Sequence, residues 1–290
     1  MIFEALRRLD RLVALPFYRY VGFGSPYFVD FRIAHRELGI TNMVNVEHEG
    51  DEPRFNFNRP FGGISLEFGE SGDVLDRLDW TGPSIVWLDY DKRLSHFQLA
   101  DVELVISKMA PGSVILITTS AQPEEDLASR VASFNERLGD YMPFGLTDPE
   151  LLGGWRTAEL YCKILQELLA TTIKVRNEGA QANAVLRYRQ WFNFHYSDGT
   201  RMLTVGGILI DAGRDAHVDG LGMGAFPFVR EGPEAYRIEV PQLTLGEMAY
   251  LERAFPCEPN ETGLSFLSDG EIRSYQEIYR YYPRFAHVDI

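Results

Sequence analysis

Between residues 17 and 120 the apolar positions switch repeatedly between short continuous runs and a helical spacing. The short runs lie at 19–22, in "NMVNVEHE" (strand over 42–47), in "GGISLEFG" (62–69), in "PSIVWLDYD" (83–91) and in "SVILITTSA" (113–118). Runs of this length, rich in β-branched residues, read as strands covered on both faces. Two stretches between them, "YFVDFRIAHREL" over 27–38 and "QLADVELVISKMAPG" over 98–109, repeat at helical spacing. Gly39 closes the first at its C-cap, and Pro111–Gly112 ends the second. Strands alternating with helices predict an open α/β sheet that is largely parallel.

The pattern then changes. Residues 123–185 are mainly helical, broken at "GDYMPFGLTDPELLGG" and resumed in "WRTAELYCKILQELLATTIKVRNE". "VLRYRQWFNFHYSDGTRMLTVGGILI" is two extended runs about "SDGT", which predicts a β-hairpin. Beyond 211 a Gly- and Pro-rich stretch leads to "LTLGEMAYLERAF" and "SDGEIRSYQEIYRYYP", two short helices with Thr or Ser at their starts. At the other end "MIFEALRRLDRLVALPFYRY" predicts an amphipathic helix, because Arg7, Arg8, Asp10 and Arg11 interrupt any signal-peptide run. The division is therefore an N-terminal helix (1–16), an α/β domain (17–210) and a packed accessory region (211–290).

Composition narrows the setting. Apolar residues make up 45% of the 290, enough for a buried core, and no run approaches the length of a membrane span. The net charge is −14, with 22 of the 42 acidic residues in the first 145, so the excess is spread along the chain. Such a surface opposes binding to a phosphate backbone and favours a small molecule over nucleic acid as substrate. Two distant cysteines, Cys162 and Cys257, form neither a disulfide framework nor a zinc pattern; a reducing, cytoplasmic location is expected.

In an open parallel sheet, ligands lie at the carboxyl ends of the strands. There the chain places "GFGS" after the first strand, Glu47 and His48 after the second, "GESGD" after the third, and Asp89, Tyr90 and Asp91 at the end of the fourth. Gly22 and Gly24 let a ligand approach the backbone. Taken alone they could equally mark a plain tight turn. Glu47, one βαβ step later, is placed to accept hydrogen bonds from ribose hydroxyls, which tips the reading towards a nucleoside. Tyr27 stands where a dinucleotide fingerprint has its third small residue, so its ring is expected to obstruct a pyrophosphate; no Gly–Lys–Ser/Thr loop offers a nucleoside triphosphate site.

This order of parts resembles the class I S-adenosylmethionine-dependent methyltransferases over roughly residues 17–210. "VGFGS" matches their glycine loop, Glu47 their ribose-binding acid, "GESGD" their adenine-side loop and "WLDYD" their strand-four motif. The resemblance implies a seven-stranded Rossmann-like sheet, its last two strands the hairpin at 186–210, with the N-terminal and C-terminal helices as additions. It also implies S-adenosylmethionine as cofactor, held by Gly22, Gly24, Ser25, Glu47, Glu70, Ser71 and Asp89. Catalytic candidates are Asp89, Asp91 and Tyr90, with His96 nearby. Two positions depart from the family pattern: Tyr20 stands where many members carry an acid, and Pro26 where they carry a third glycine. "WLDYDKRL" is similar to the Asp-x-Asp-Lys segment of metal-dependent O-methyltransferases, but "ITTSAQ" lacks their Asp-Asn pair, so no metal is expected.

The expected function is methyl transfer from S-adenosylmethionine, to an oxygen of a small molecule. The alternative is a methyltransferase-like module that has lost turnover and binds a nucleoside or a protein partner, motivated by Tyr20 and Pro26. His195, inside the hairpin, reads as a packed or surface strand histidine rather than a catalytic one. "RFNFNRPFGG" (54–63), alternating aromatic and polar residues, is expected to be an edge segment that packs Phe55, Phe57 and Phe61 into the core, with a lid or oligomer contact as the second reading. The aromatic tail at 279–287 docks either on the sheet or on a second subunit of a homo-oligomer.

Overall fold

The five short apolar runs of the first 120 residues become adjacent strands of one sheet. A computed structural model describes residues 1–48, 51–197 and 199–282. Asp198 of the hairpin turn, Glu49 and Gly50 of the charge run after Glu47, and the part of the aromatic tail beyond residue 282 lie outside the described residues. The chain divides into two units, Met1–Tyr236 and Arg237–Ile290.

In the first unit β1 (Arg19–Phe23), β2 (Asn42–Glu47), β3 (Ile64–Phe68), β4 (Ser84–Arg93) and β5 (Val114–Ser120) are parallel. β6 (Leu186–Ser197) and β7 (Arg201–Asp211) form the hairpin, and β7 runs antiparallel to β5. The order is β3-β2-β1-β4-β5-β7-β6-β8, so the eight strands exceed the expected seven by β8 (Tyr236–Ile238), a three-residue edge strand. Strand order reverses between β1 and β4, which opens a crevice at their carboxyl ends. β5 is buried along its whole length, as a central strand covered on both faces must be.

The helices of this unit are α1 (Ile2–Leu6), α2 (Val29–Leu38), α3 (Glu52–Asn58), α4 (Ser71–Arg77), α5 (His96–Lys108), α6 (Arg130–Leu138), α7 (Arg156–Arg176) and α8 (Asp215–Asp219). α5 and α7 pack against each other, and α7 buries Tyr161, Leu165 and Leu169 in the core that β4 and β5 share. Gly39 ends α2 in the left-handed conformation at φ 68°, as its C-cap position requires. Three expectations are corrected. The N-terminal segment is not one helix: α1 tightens at Arg7–Arg11 into a 3-10 turn that buries Leu9, and Pro16 starts a separate turn. The second helix begins at Val29 rather than 27, because Phe28 adopts a left-handed backbone (φ 50°) while its ring meets Phe31 and Phe55 edge to face. α3 takes the place of an edge segment, and only Phe55 of its aromatics is buried; Phe57 is 88% exposed on the opposite helix face, and Phe61 is half-buried against His35.

The second unit contains α9 (Leu245–Ala254) and α10 (Asp269–Ile278), each begun by a capping box, Thr244 with Glu247 and Ser268 with Glu271. The Tyr275 hydroxyl donates to Glu252 at 2.8 Å, joining the two helices. Among the described residues no helix is long and apolar enough to cross a membrane.

Candidate functional site

The crevice at the carboxyl ends of β1, β2 and β4 is a cleft of about 740 Å³ within the first unit. It is where the strand reversal places a ligand, and its size is that of a small-molecule site. Gly24, Ser25, Glu47, Glu70, Ser71, Asp89, Tyr90 and Asp91 all line it, whereas Gly22 lies behind the wall in β1.

The glycine turn is set by what lies beneath it. A Cβ on Gly24 would stand 1.7 Å from Asn45 Oδ1, so the Asn45 amide would have to shift to admit any side chain. Asn45 is fully buried in β2, paired in register with Gly22, and neither its Oδ1 nor its Nδ2 has a hydrogen-bond partner among the described residues. Gly22 is tight for a different reason: its Cβ would meet the Tyr20 ring at 3.0 Å and Asp30 Oδ2 at 3.1 Å. Tyr27 is 70% exposed, so the expected obstruction is corrected: the ring turns to solvent because the left-handed Phe28, not Tyr27, is the residue drawn into the core.

Tyr20 is joined to a carboxylate. The buried Tyr20 hydroxyl donates to Asp30 Oδ2 at 2.7 Å, so a carboxylate from the first turn of α2 stands beside the first glycine and lines the cleft. Burial raises the Asp30 pKa, while the bonds from Tyr20 and the Phe31 amide act against the rise. The sequence signal for Asp30, an acid in the first turn after the glycine loop, was present and went unused.

At the end of β2, burial raises the Glu47 pKa against the opposing bond from the His48 amide, 3.1 Å from Oε1. His48 Nε2 lies 2.9 Å from Glu70 Oε1, joining the ends of β2 and β3. Ser71 at the start of α4 donates to Asp101 Oδ2 at 2.5 Å, and Tyr90 donates to the same oxygen at 2.8 Å. Burial and the Asp101 charge push the Tyr90 pKa well up, so its phenol stays neutral and forms a wall. Asp101, invisible in the motif reading, fixes both Ser71 and Tyr90.

β4 departs from regular pairing with β5 between Asp89 and Arg93. A regular strand would alternate its side chains, yet Asp89, Tyr90, Asp91 and Lys92 all line the cleft. The carbonyls released by this irregularity are caught from below: Thr119 Oγ1 lies 2.8 Å from the Lys92 oxygen, and Gln98 Nε2 donates to the Arg93 oxygen at 3.2 Å. Asp89 faces the open cleft but is hemmed in by protein. Desolvation first, then the charge of Asp30, pushes its pKa up to about 6, against a bond from Thr118 and with Asp91 adding to the rise. Phe3, Phe23, Trp87, Val29 and Ile33 supply the apolar part of the lining.

His96 and His195 are not brought to the cleft. His96 is exposed, with Nδ1 3.0 Å from the Arg137 oxygen, and His195 is buried and stacked on Trp155, as its strand reading expects. Among the described residues no group of three or more His, Cys, Asp or Glu is arranged to hold a metal ion.

A family of proteins described as "Putative O-methyltransferase" matches residues 1–290. The chain belongs to that family. No curated protein matches the chain. Among solved structures, LepI in complex with S-adenosylmethionine is 12% identical over 70% of this chain and 46% of its own, with a TM-score of 0.39. The O-methyltransferase TomG from Streptomyces achromogenes, in complex with the same compound, is 13% identical over 71% of this chain and 79% of its own, at 0.37. Trm1 from Pyrococcus horikoshii, with S-adenosyl-L-methionine, is 11% identical over 74% and 57%, at 0.45. The chain thus spans less than half the length of LepI.

Proposed function

We propose that this O-methyltransferase family member transfers a methyl group from S-adenosylmethionine to an oxygen of a small molecule. One observation carries the reading: five carboxylates, Asp30, Glu47, Glu70, Asp89 and Asp91, surround a cleft whose floor is a glycine turn where a Cβ at Gly24 would displace the buried Asn45 amide. A ligand with a ribose, an ammonium and a sulfonium fits that donor set, because the carboxylates accept from the first two and oppose the charge of the third. When bound, S-adenosylmethionine supplies an electrophilic methyl group on a sulfonium.

This chain's own residues divide the remaining work. Glu47 accepts from the ribose hydroxyls, with Gly22, Gly24 and Ser25 forming the turn and Glu70 and Ser71 the adenine side. Asp30, placed by Tyr20, faces the ammonium. Asp89 stands at the methyl-donor end, and it or Asp91 accepts the proton of the acceptor hydroxyl; a carboxylate with a pKa of about 6 suits that role near neutral pH. Tyr90 screens water. Residues 17–210 form the methyltransferase-like part, with 1–16 and 211–290 as additions, and the setting is the cytoplasm. The second reading, a module without turnover, rested on Tyr20 and Pro26; Asp30 beside the first glycine answers the first of these, and Pro26 remains its motive.

The test is calorimetric titration of wild type and Glu47→Ala with S-adenosylmethionine, S-adenosylhomocysteine and NADH. Both sulfur compounds bind wild type, NADH does not, and Glu47→Ala weakens the sulfur compounds by about 10- to 100-fold, the worth of hydrogen bonds to a charged group. Absence of all binding, or preference for NADH, overturns the function; binding indifferent to Glu47 overturns the site.

A further inference from the structure

Next to the cleft lies a second cavity, of about 570 Å³, at the carboxyl ends of β4 and β5 and the turn of the β6–β7 hairpin. The two cavities share Asp91, Lys92 and Gln98. All ten residues around the second cavity are polar or charged, which sets it apart from the first with its aromatic and aliphatic lining. It carries three cations, Lys92, Arg93 and Arg137, against two carboxylates, Asp91 and Glu124. The remainder are hydroxyl and amide side chains.

The two guanidinium groups are fixed in place. Arg137 donates to Glu124 at 2.6 Å and to the Tyr161 hydroxyl at 3.1 Å. Arg93 donates to the Gln122 and Pro123 oxygens at 2.6 and 3.2 Å and lies 3.6 Å from the same Glu124. One carboxylate thus serves two guanidinium groups. Lys92 differs: among the described residues no carboxylate lies within ion-pairing distance of its ammonium, although the chain is strongly acidic. It stands at the junction of the two cavities.

We propose that this second cavity is the acceptor site and that it takes a hydroxyl-rich small molecule bearing a carboxylate, with Lys92 as its anionic-group anchor. The inference rests on the methyltransferase reading of the first cleft. The hydroxyl, amide and ionic ends of the lining side chains can satisfy many hydroxyls of an acceptor. An unpaired ammonium beside two half-neutralised guanidinium groups selects for an anion. In the transfer step, a lone pair of the acceptor hydroxyl oxygen forms the O–C bond to the methyl carbon. The S–C bond breaks with its pair going to sulfur, leaving a neutral thioether, and the hydroxyl proton passes to the carboxylate of Asp91, which borders both cavities.

The test uses the full chain saturated with S-adenosylhomocysteine and ligand-detected saturation-transfer NMR with three probes: D-glucuronate, D-glucose and catechol. Glucuronate is expected to bind, glucose to bind up to about fivefold more weakly, as the loss of one exposed ion pair predicts, and catechol, with two hydroxyls and no carboxylate, to bind more weakly than either. Lys92→Gln removes the preference for glucuronate over glucose. Thr200→Trp, an exposed hairpin position bordering only the second cavity, abolishes the glucuronate signal while S-adenosylhomocysteine titrates as in wild type. Thermal melts confirm that both variants fold; should Thr200→Trp fail, Lys92→Gln, on an exposed side chain, decides alone. Binding of catechol but not glucuronate, glucuronate binding that survives Thr200→Trp, or a preference that survives Lys92→Gln overturns the proposal. Wild type that binds S-adenosylhomocysteine but no glucuronate overturns the acceptor assignment alone; wild type that fails to bind S-adenosylhomocysteine overturns the methyltransferase reading beneath it.

Discussion

Two neighbouring cavities with three residues in common carry opposite electrostatic characters. The cleft above the glycine turn gathers five carboxylates against the Lys92 ammonium and a His48 ring already joined to Glu70, and it adds an aromatic wall. The cavity beyond β4 has more cations than carboxylates and no apolar side chain. The difference teaches that a single stretch of strand, β4 from Asp89 to Arg93, divides a carboxylate-rich lining from a cation-rich one. Electrostatic complementarity of this kind mainly suppresses wrong occupants of each site.

The strongest way to break the comparison is to close the first cavity and leave the second. Gly24→Ala drives a methyl group into the Asn45 amide, and overpacking of this kind costs about 1–3 kcal/mol of stability. With the turn displaced, S-adenosylhomocysteine binding falls by at least about 100-fold, since ligand approach depends on that backbone. Asn45→Ala added to Gly24→Ala vacates the space and recovers part of both losses; calorimetry and urea titration measure them. Equal loss in the single and double variants would mean that the contact with Asn45 does not set the turn.

A smaller effect probes charge. Below a pKa of about 6 the Asp89 carboxyl is neutral, and above it the carboxylate opposes a sulfonium but gains nothing from a thioether. Wild type should therefore prefer S-adenosylmethionine over S-adenosylhomocysteine increasingly from pH 5 to 7, by a few-fold, about the worth of a partly exposed charge pair. Asp89→Asn should flatten that rise. The stability trend has the opposite sign: the native state keeps the Asp89 proton up to about pH 6, where an unfolded aspartate loses it near pH 4. Native stability thus declines as pH climbs through that window, and Asp89→Asn lacks this part of the decline. Parallel pH profiles in wild type and variant would remove Asp89 from the charged end of the cleft.

The smallest effect sharpens the picture. Tyr20→Phe deletes the bond to Asp30, about 1 kcal/mol, and should weaken S-adenosylmethionine binding roughly fivefold while glucuronate binding at the second cavity is unchanged. An unaltered S-adenosylmethionine affinity would show that Asp30 does not need its tyrosine.

Most strands were legible in the sequence, because β-branched runs and turn residues are local signals: β2 occupies the expected 42–47, and the hairpin turns where "SDGT" stands. The line-up of Gly24, Glu47, Glu70 and Asp89 around one cleft also followed from strand ends alone. What sequence reasoning missed is tertiary. Asp30 matters because a tyrosine ten residues earlier reaches it, and Asp101 because two hydroxyls from α4 and β4 converge on it. Asn45 matters because of a glycine on the neighbouring strand. Tyr27 was misjudged because motif spacing carries no information on side-chain direction once Phe28 takes a left-handed backbone. α3 was read as an edge segment because its aromatics alternate with polar residues as in a strand, while the fold buries only Phe55.

The irregular stretch of β4 makes chain length itself a heritable determinant of specificity. Where a strand keeps strict register, a point substitution alters one face and leaves the other. Between Asp89 and Arg93 β4 spends four residues where β5 spends two, and neighbouring residues of opposite charge share one wall, so a two-residue deletion would restore regular pairing and remove part of that wall. Relatives that lack these two extra residues would be expected to differ in what they accept, even with every side chain of the glycine turn preserved.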